Sequence, residues 1–190
     1  VVVYANQDKA QTNLAILVPQ YRVLIDGILG TGVRLPLPTE IAQVLGCAKR
    51  LVAENSGKLH VVAVDCPSGI DCDSGQACAD VIPAEYTYTM AAIKRGLFTF
   101  PAASLVGEVR VGSIGDVTKL ATWNSVKRDV LTDKDIRHYL PSRPRDAHKG
   151  TFGTALLIAG AGNYPGAVLL AGSAAYRVGA GLVKIAIPEY

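Results

Sequence analysis

The sequence predicts an α/β fold, a three-layer αβα arrangement around a parallel, doubly wound sheet, and three observations carry that prediction. Strand-like and helix-like stretches alternate up to Asp65 in the order β, α, β, α, β, the pattern that right-handed crossovers produce. The segment His60 to Val64 is a continuous apolar, β-branched run, as expected of a strand buried on both faces. Two apolar runs also stop on an acid: Tyr21 to Ile25 on Asp26, and His60 to Val64 on Asp65. Ligands of open α/β sheets collect at the carboxyl ends of the strands, so both acids are expected at one edge.

Taken in order, Val1 to Ala5 reads as a buried strand, and Asn6 to Gln20 as a helix with Ala10, Leu14 and Leu17 on one face and Pro19 at its end. The strand Tyr21 to Asp26 follows, then a loop with Gly27, Gly30 and Gly32. Thr39 is expected to cap a helix reaching about Asn55, with Ile41, Val44, Leu45, Ala48, Leu51 and Val52 as its apolar stripe. After the Asp65 strand, Ala84 to Met90 alternates and is rich in β-formers, and Gly107 to Val111 alternates as an edge strand does, closing a first domain, 1–115. Residues 116–150 shift to charged, Pro-containing sequence, a linker and entry segment with a short helix from Thr132 to Tyr139. Residues 151–190 open a new α/β unit: strand Thr154 to Ala159, a glycine turn, a small-faced helix Ala167 to Val178, and strand Leu182 to Ile187. A chain that begins and ends in strand-like sequence reads as cut from something longer.

Composition narrows the function. The 190 residues are 49% hydrophobic, with a mean hydropathy of +0.26, which implies a core-rich globular chain. A net charge of +3 and an aromatic content of 6% argue against nucleic acid. With no secretory leader and no apolar run of about twenty residues, a soluble, cytoplasmic protein without a membrane partner is expected. Cysteines 47, 66, 72 and 78 show no Cys-x-x-Cys spacing and are read as reduced thiols.

On chemistry alone, one acid after one strand is more often a turn residue than a catalyst, but two glycine-backed acids at one edge raise the case for a site. Pro67 and Gly69 stiffen and sharply turn the loop after Asp65. Lys94, just past the next strand, is the basic group nearest these acids, although an isolated lysine is ordinarily a solvated surface residue. Gly160-x-Gly162 before a helix lacks the third glycine of a dinucleotide fingerprint, and His148 has no partner at metal-ligand spacing.

The residues Asp26-Gly27-Ile28-Leu29-Gly30-Thr31-Gly32, Val64-Asp65-Cys66-Pro67-Ser68-Gly69-Ile70-Asp71 and Thr87-Tyr88-Thr89-Met90 with Lys94-Arg95-Gly96-Leu97 resemble, in order and spacing, the carboxyl-terminal half of the NAD(P)H-hydrate epimerase domain, the YjeF amino-terminal family. His148 to Gly153 and Gly160 to Val183 resemble the opening of the ribokinase-like NAD(P)H-hydrate dehydratase domain, so the two resemblances together cover most of the chain. The resemblance implies a Rossmann-like first domain that interconverts the R and S epimers of hydrated NADH and NADPH. It implies a second domain that dehydrates the S epimer with ADP or ATP and Mg2+, at a site mostly outside this stretch. Carried over by position, Asp26 and Ser68 would help hold a monovalent cation, K+. Gly30, Thr31, Gly32, Val33, Arg34, Leu35, Pro36 and Asp65 would contact the hydrated dinucleotide. Asp65 would do acid/base work with Lys94 tuning the charge, and Ala167 would line the dehydratase pocket.

A hard cation suits carboxylate, hydroxyl and carbonyl oxygens, and tight Gly/Pro turns expose such carbonyls. The family's Asn-Gly-Gly-Asp-Gly loop would precede Val1, and Leu29, Cys66 and Ile93 stand where the family usually has an aromatic, Ile and Pro. The full-length protein is expected to be a homo-oligomer, and this stretch alone to lack dehydratase activity and to keep at most residual epimerase activity. Two other classes compete: a ribokinase-like small-molecule kinase, and a non-catalytic module that docks a protein partner on an epimerase-like fold.

Overall fold

The computed structural model describes residues 10–161 and 163–189. The strand expected at Val1 to Ala5, the start of the first helix and Gly162 lie outside the described residues. The chain divides into two compact units, 1–130 and 131–190.

In the first unit, β1 (Val23–Asp26), β2 (His60–Val64), β3 (Tyr86–Met90) and β4 (Glu108–Gly112) form one sheet in the order β1-β2-β3-β4, every neighbouring pair parallel. Because all four strands point the same way, their carboxyl ends share one edge. The register sets Asp26 beside Ala63, Val64 beside Tyr88 and Met90 beside Gly112. The expected parallel α/β sheet is therefore present.

Helices α1 (Ala10–Leu17) and α2 (Thr39–Glu54) supply the apolar cover. The predicted stripe of α2 splits into two buried rows: Leu45 and Ala48 pack with Val61, Ile82 and Leu24, while Cys47 and Leu51 pack with Val18 and Leu59. Thr39 does not cap this helix. Pro38 takes the cap position with an extended ψ of 140° and makes no side-chain cap bond, which leaves Thr39 as the first helical residue. Glu40 in the first turn supplies the negative charge that suits a helix amino end.

A further apolar cluster of Cys66, Ile70, Cys72, Val81, Leu97, Ala102 and Val106 is built from the loops that follow β2 and β3. Two 3-10 turns, Arg95–Phe98 and Ala102–Ser104, fold the second of those loops. Strand burial departs from the expected two-sided pattern. Val61 and Ala63 are buried while Val62 and Val64 are only half-buried, and Val23 and Ile25 of β1 are exposed. Among the described residues one face of this end of the sheet is covered and the other is not.

In the second unit, α3 (Asp133–Tyr139) opens with a full capping box, in which the Thr132 hydroxyl and the Asp135 carboxylate bond to each other's backbone amides. Strands β5 (Thr154–Ile158) and β6 (Leu182–Ala186) pair in parallel, joined by α4 (Pro165–Val178). Helix α4 starts two residues earlier than the sequence suggests because Pro165 occupies its first turn, where its missing N–H costs nothing. Its small face does press on the sheet, since a Cβ on Gly172 would lie 3.1 Å from Ile185 Cδ1.

Candidate functional site

The carboxyl edge of the first sheet collects two acids in different environments. Asp26 ends β1 and is buried at 2% exposure. Its Oδ2 accepts the Ser68 backbone N–H at 2.7 Å, and its Oδ1 accepts the Ser68 hydroxyl at 2.5 Å. The same hydroxyl oxygen accepts the Leu29 amide at 2.9 Å and lies 3.5 Å from the Leu29 carbonyl. Ser68 is thus a buried knot between the loops after β1 and β2. The second loop reaches it through a turn only glycine can make: Gly69 has φ +98°, and a Cβ there would sit 2.6 Å from Cys78 Sγ.

Asp65 is the residue immediately after β2, and its φ of 70° places a non-glycine residue in the left-handed region. Its own N–H donates to the Tyr88 carbonyl at 2.8 Å, which fixes the loop to the end of β3. Three donors converge on Oδ1: the Lys94 ammonium, the Met90 amide at 3.0 Å and the Thr89 hydroxyl at 3.3 Å. Among the described residues no hydrogen bond falls on Oδ2, which faces the first loop, 3.9 Å from where a Cβ on Gly30 would stand. Burial on its own pushes the Asp65 carboxyl up. The hydrogen bonds from Lys94 and Met90, the ammonium's charge and Thr89 together outweigh burial and hold the group below its ordinary value. Asp65 is therefore an ionised carboxylate with one saturated oxygen and one open one.

Lys94 is as firmly placed. Its ammonium reaches Asp65 Oδ1, Thr89 Oγ1 at 2.9 Å and the Met90 carbonyl at 2.9 Å, one partner for each of its three protons. The segment behind it is pinned where Gly96 donates to the Cys72 carbonyl at 2.7 Å, an approach so close that a Cβ on Gly96 would lie 2.6 Å from that carbonyl. Ala91, between Met90 and the lysine, also has a positive φ, 63°. Two non-glycine residues in this region, one on each side of the ion pair, mark backbone strain concentrated at the site.

The structure brings Asp65, Lys94 and Gly30 together, and Asp26 with Ser68. Thr31, Gly32, Arg34 and Pro36 are exposed along the first loop, with Val33 and Leu35 half-buried. Cys66 and Cys72 are buried with no disulfide between them, and the bond to Cys72 together with burial pushes the Cys66 thiol well up, so it stays protonated. In the second unit Ala167 is exposed in the first turn of α4. The cavity of about 360 Å³ beside it is lined by Pro165, Val168, Leu169 and Ile187 and not by Ala167 itself. His148 lies in an exposed loop, as expected. Sequence reasoning missed Thr89. The available signal was that Thr87 and Thr89 occupy the face of β3 opposite Tyr86 and Tyr88, where apolar residues would ordinarily go, and both are fully buried.

The fold and the edge define a class: a Rossmann-like α/β domain whose ionisable groups gather at the carboxyl ends of its parallel strands. Within that class the chain belongs to the family described as YjeF-related protein N-terminus, whose model matches residues 1–96. It is 37% identical over 170 residues to a bifunctional NAD(P)H-hydrate repair enzyme of Moorella thermoacetica, covering 88% of this chain and 30% of the relative. It is 34% identical over 166 residues to the one of Escherichia coli, covering 86% and 30%. It is 32% identical over 177 residues to the one of Leishmania major, covering 88% and 30%. The chain spans about a third of the length of the curated relatives it matches.

Proposed function

We propose that the first unit carries the epimerase site of a nicotinamide-nucleotide repair protein, acting on the hydrated forms of NADH and NADPH. The observation that carries this reading is the Asp65–Lys94 pair, ionised, strained and open at one oxygen beside the Gly30 loop. Interconverting two hydrate epimers inverts the hydroxyl-bearing ring carbon. The hydroxyl gives up its proton as the ring C–N bond breaks to leave an aldehyde, the freed nitrogen takes a proton, and both transfers reverse as the ring closes on the other face of the carbonyl. A carboxylate with a free oxygen suits the first demand, and the neighbouring ammonium suits the charge that develops. Gly30, Thr31, Gly32, Val33, Arg34, Leu35 and Pro36 would contact the dinucleotide, with a mostly exposed loop and one basic side chain available to its phosphates.

Asp26, Ser68 and the Leu29 carbonyl group one carboxylate with neutral oxygens, a donor set that fits a large monovalent cation, and K+ is the ion assigned here. Bound there, the cation would fix the two loops that meet at Ser68 and lend positive charge to the substrate's phosphates. The second activity, dehydration of the S epimer with ADP or ATP and Mg2+, is assigned to the whole protein with Ala167 on its substrate side.

The full-length protein, given a mixture of R and S hydrated NADPH, should equilibrate the epimers in a K+-dependent manner, read by chromatography of the two forms. An Asp65→Ala protein should lose that equilibration. Wild-type rates in the Asp65→Ala protein would refute the assignment.

A further inference from the structure

We propose that Thr89 is a positioning residue for the Asp65–Lys94 pair: its buried hydroxyl bridges ammonium and carboxylate, and so keeps Asp65 Oδ2 open toward the Gly30 loop. The inference rests on the acid/base reading of Asp65 given above.

Thr89 is fully buried one residue before the end of β3. Its oxygen accepts from Lys94 Nζ at 2.9 Å, and its proton goes to Asp65 Oδ1 at 3.3 Å or to the Ala92 carbonyl at 3.5 Å. The geometry matters because a carboxylate offers an ammonium two equivalent oxygens. Lys94 is held on Oδ1 because its remaining protons are taken by Thr89 Oγ1 and the Met90 carbonyl, both on the Oδ1 side. Without the hydroxyl, one ammonium proton has no acceptor, and the nearest uncommitted lone pairs are those of Oδ2. The lysine then swings toward the oxygen that the chemistry needs, and the Oδ1 side loses a donor as well. The other titratable groups that feel this charge are the Cys66 and Cys72 thiols. Neither competes with Lys94 for the carboxylate.

A hydroxyl that merely satisfies buried polar atoms would, if removed, change stability and little else. A positioning hydroxyl must change the turnover and the protonation of Asp65. Both kcat and KM should therefore be measured across pH for hydrated-NADPH epimerisation by the full-length protein, its Thr89→Val and Thr89→Ser variants, and Asp65→Ala as reference. Valine fills the same volume without a lone pair, and serine restores the hydroxyl. Thr89→Val should lower kcat roughly 10- to 100-fold, the size that a misplaced catalytic group produces. It should leave KM nearly unchanged and move the acidic limb of the kcat profile to higher pH, and Thr89→Ser should recover most of both. Should the valine variant not fold, Thr89→Ala carries the same expectation. A substituted protein that folds and keeps wild-type kcat and acidic limb overturns the positioning role, and so does a loss confined to KM or one that serine does not repair. If the wild-type protein does not epimerise, or Asp65→Ala matches it, the functional reading falls and the positioning role falls with it. An active wild type with an indifferent Thr89→Val overturns the positioning role alone.

Discussion

Ser68→Ala is the sharpest test of how the carboxyl edge is held together. The wild-type hydroxyl donates to Asp26 Oδ1 at 2.5 Å and accepts the Leu29 amide at 2.9 Å, with both Ser68 and Asp26 buried. Deleting it removes one hydrogen bond to a carboxylate, worth about 1.5–3 kcal/mol, and orphans one N–H, worth about 1–3 kcal/mol when fully buried. Leu29 is only half-buried, so water can recover part of the second loss, and a total of about 2–4 kcal/mol is expected out of a domain stability of about 5–15 kcal/mol. Amide hydrogen exchange of β1 and β2 in the full-length protein reads this directly. A loss of 2 kcal/mol alone speeds exchange by global opening about thirtyfold, at 1.36 kcal/mol per factor of ten.

Asp26→Asn separates the scaffold from the proposed cation. The amide oxygen keeps the Ser68 N–H and the amide nitrogen can donate to Ser68 Oγ, so exchange should accelerate much less, while the carboxylate charge disappears. Added K+ at about a hundred times its dissociation constant should slow wild-type exchange by the equivalent of about 2.7 kcal/mol, and this increment should vanish in Asp26→Asn. Exchange in Ser68→Ala within threefold of wild type would sink the reasoning, because the knot would then contribute almost nothing.

Lys94→Met removes the hydrogen bond and the charge of Lys94 and leaves only the Met90 amide and Thr89 to oppose burial, so the folded-state value of Asp65 should rise. The wild-type contribution is present above the unfolded value of 3.8 and is lost as pH falls through the lower folded value, so the variant's acid unfolding should begin at a higher pH in a circular-dichroism titration. Thr87→Val leaves the Val106 carbonyl, now bonded at 2.7 Å to the buried Thr87 hydroxyl, without its partner, and should cost about 1–3 kcal/mol by the same exchange measurement on β3. Gly69→Ala combines a φ of +98° with a Cβ 2.6 Å from Cys78 Sγ, and should disorder the Ser68 turn enough to abolish the K+ increment while α2 keeps its protection.

The frame of the site was legible because it follows from periodicity and punctuation. An apolar run ending on Asp65 and another ending on Asp26 fix strand ends, and parallel pairing then forces both acids to one edge. The nearness of Lys94 was legible from the same topology, since the strand carrying it to the edge is the next neighbour of β2. Which oxygen of Asp65 is left open was not legible. That depends on Asp65 and Ala91 adopting positive φ, which neither residue type advertises, and on a 3-10 turn at Arg95–Phe98 that no period reveals. Thr89 was overlooked because alternation identifies a strand without saying whether a polar inward face is tolerated or employed. The misplaced cap at Thr39 has a simpler cause: Thr is a better cap than Pro by propensity, but the fixed φ of Pro38 had already turned the chain.

On the proposed reading, the two acids divide the labour at this edge because of how much of each carboxylate the fold has already claimed. Asp26 has both oxygens engaged by Ser68 and almost no exposure, so proton transfer there would first have to break buried hydrogen bonds. It can hold a loop and contribute charge to a cation, and acid/base turnover would undo the first of those roles. Asp65 has its donors stacked on one oxygen, and the other, without a hydrogen bond among the described residues, faces the Gly30 loop. A carboxylate held below its ordinary value is a weak base in water, but an ammonium fixed beside it stabilises the charge that develops, which makes a short transfer to the open oxygen feasible. Exchanging the environments, rather than the residues, should therefore exchange the roles, which is why the chemistry is assigned to the less buried of the two acids.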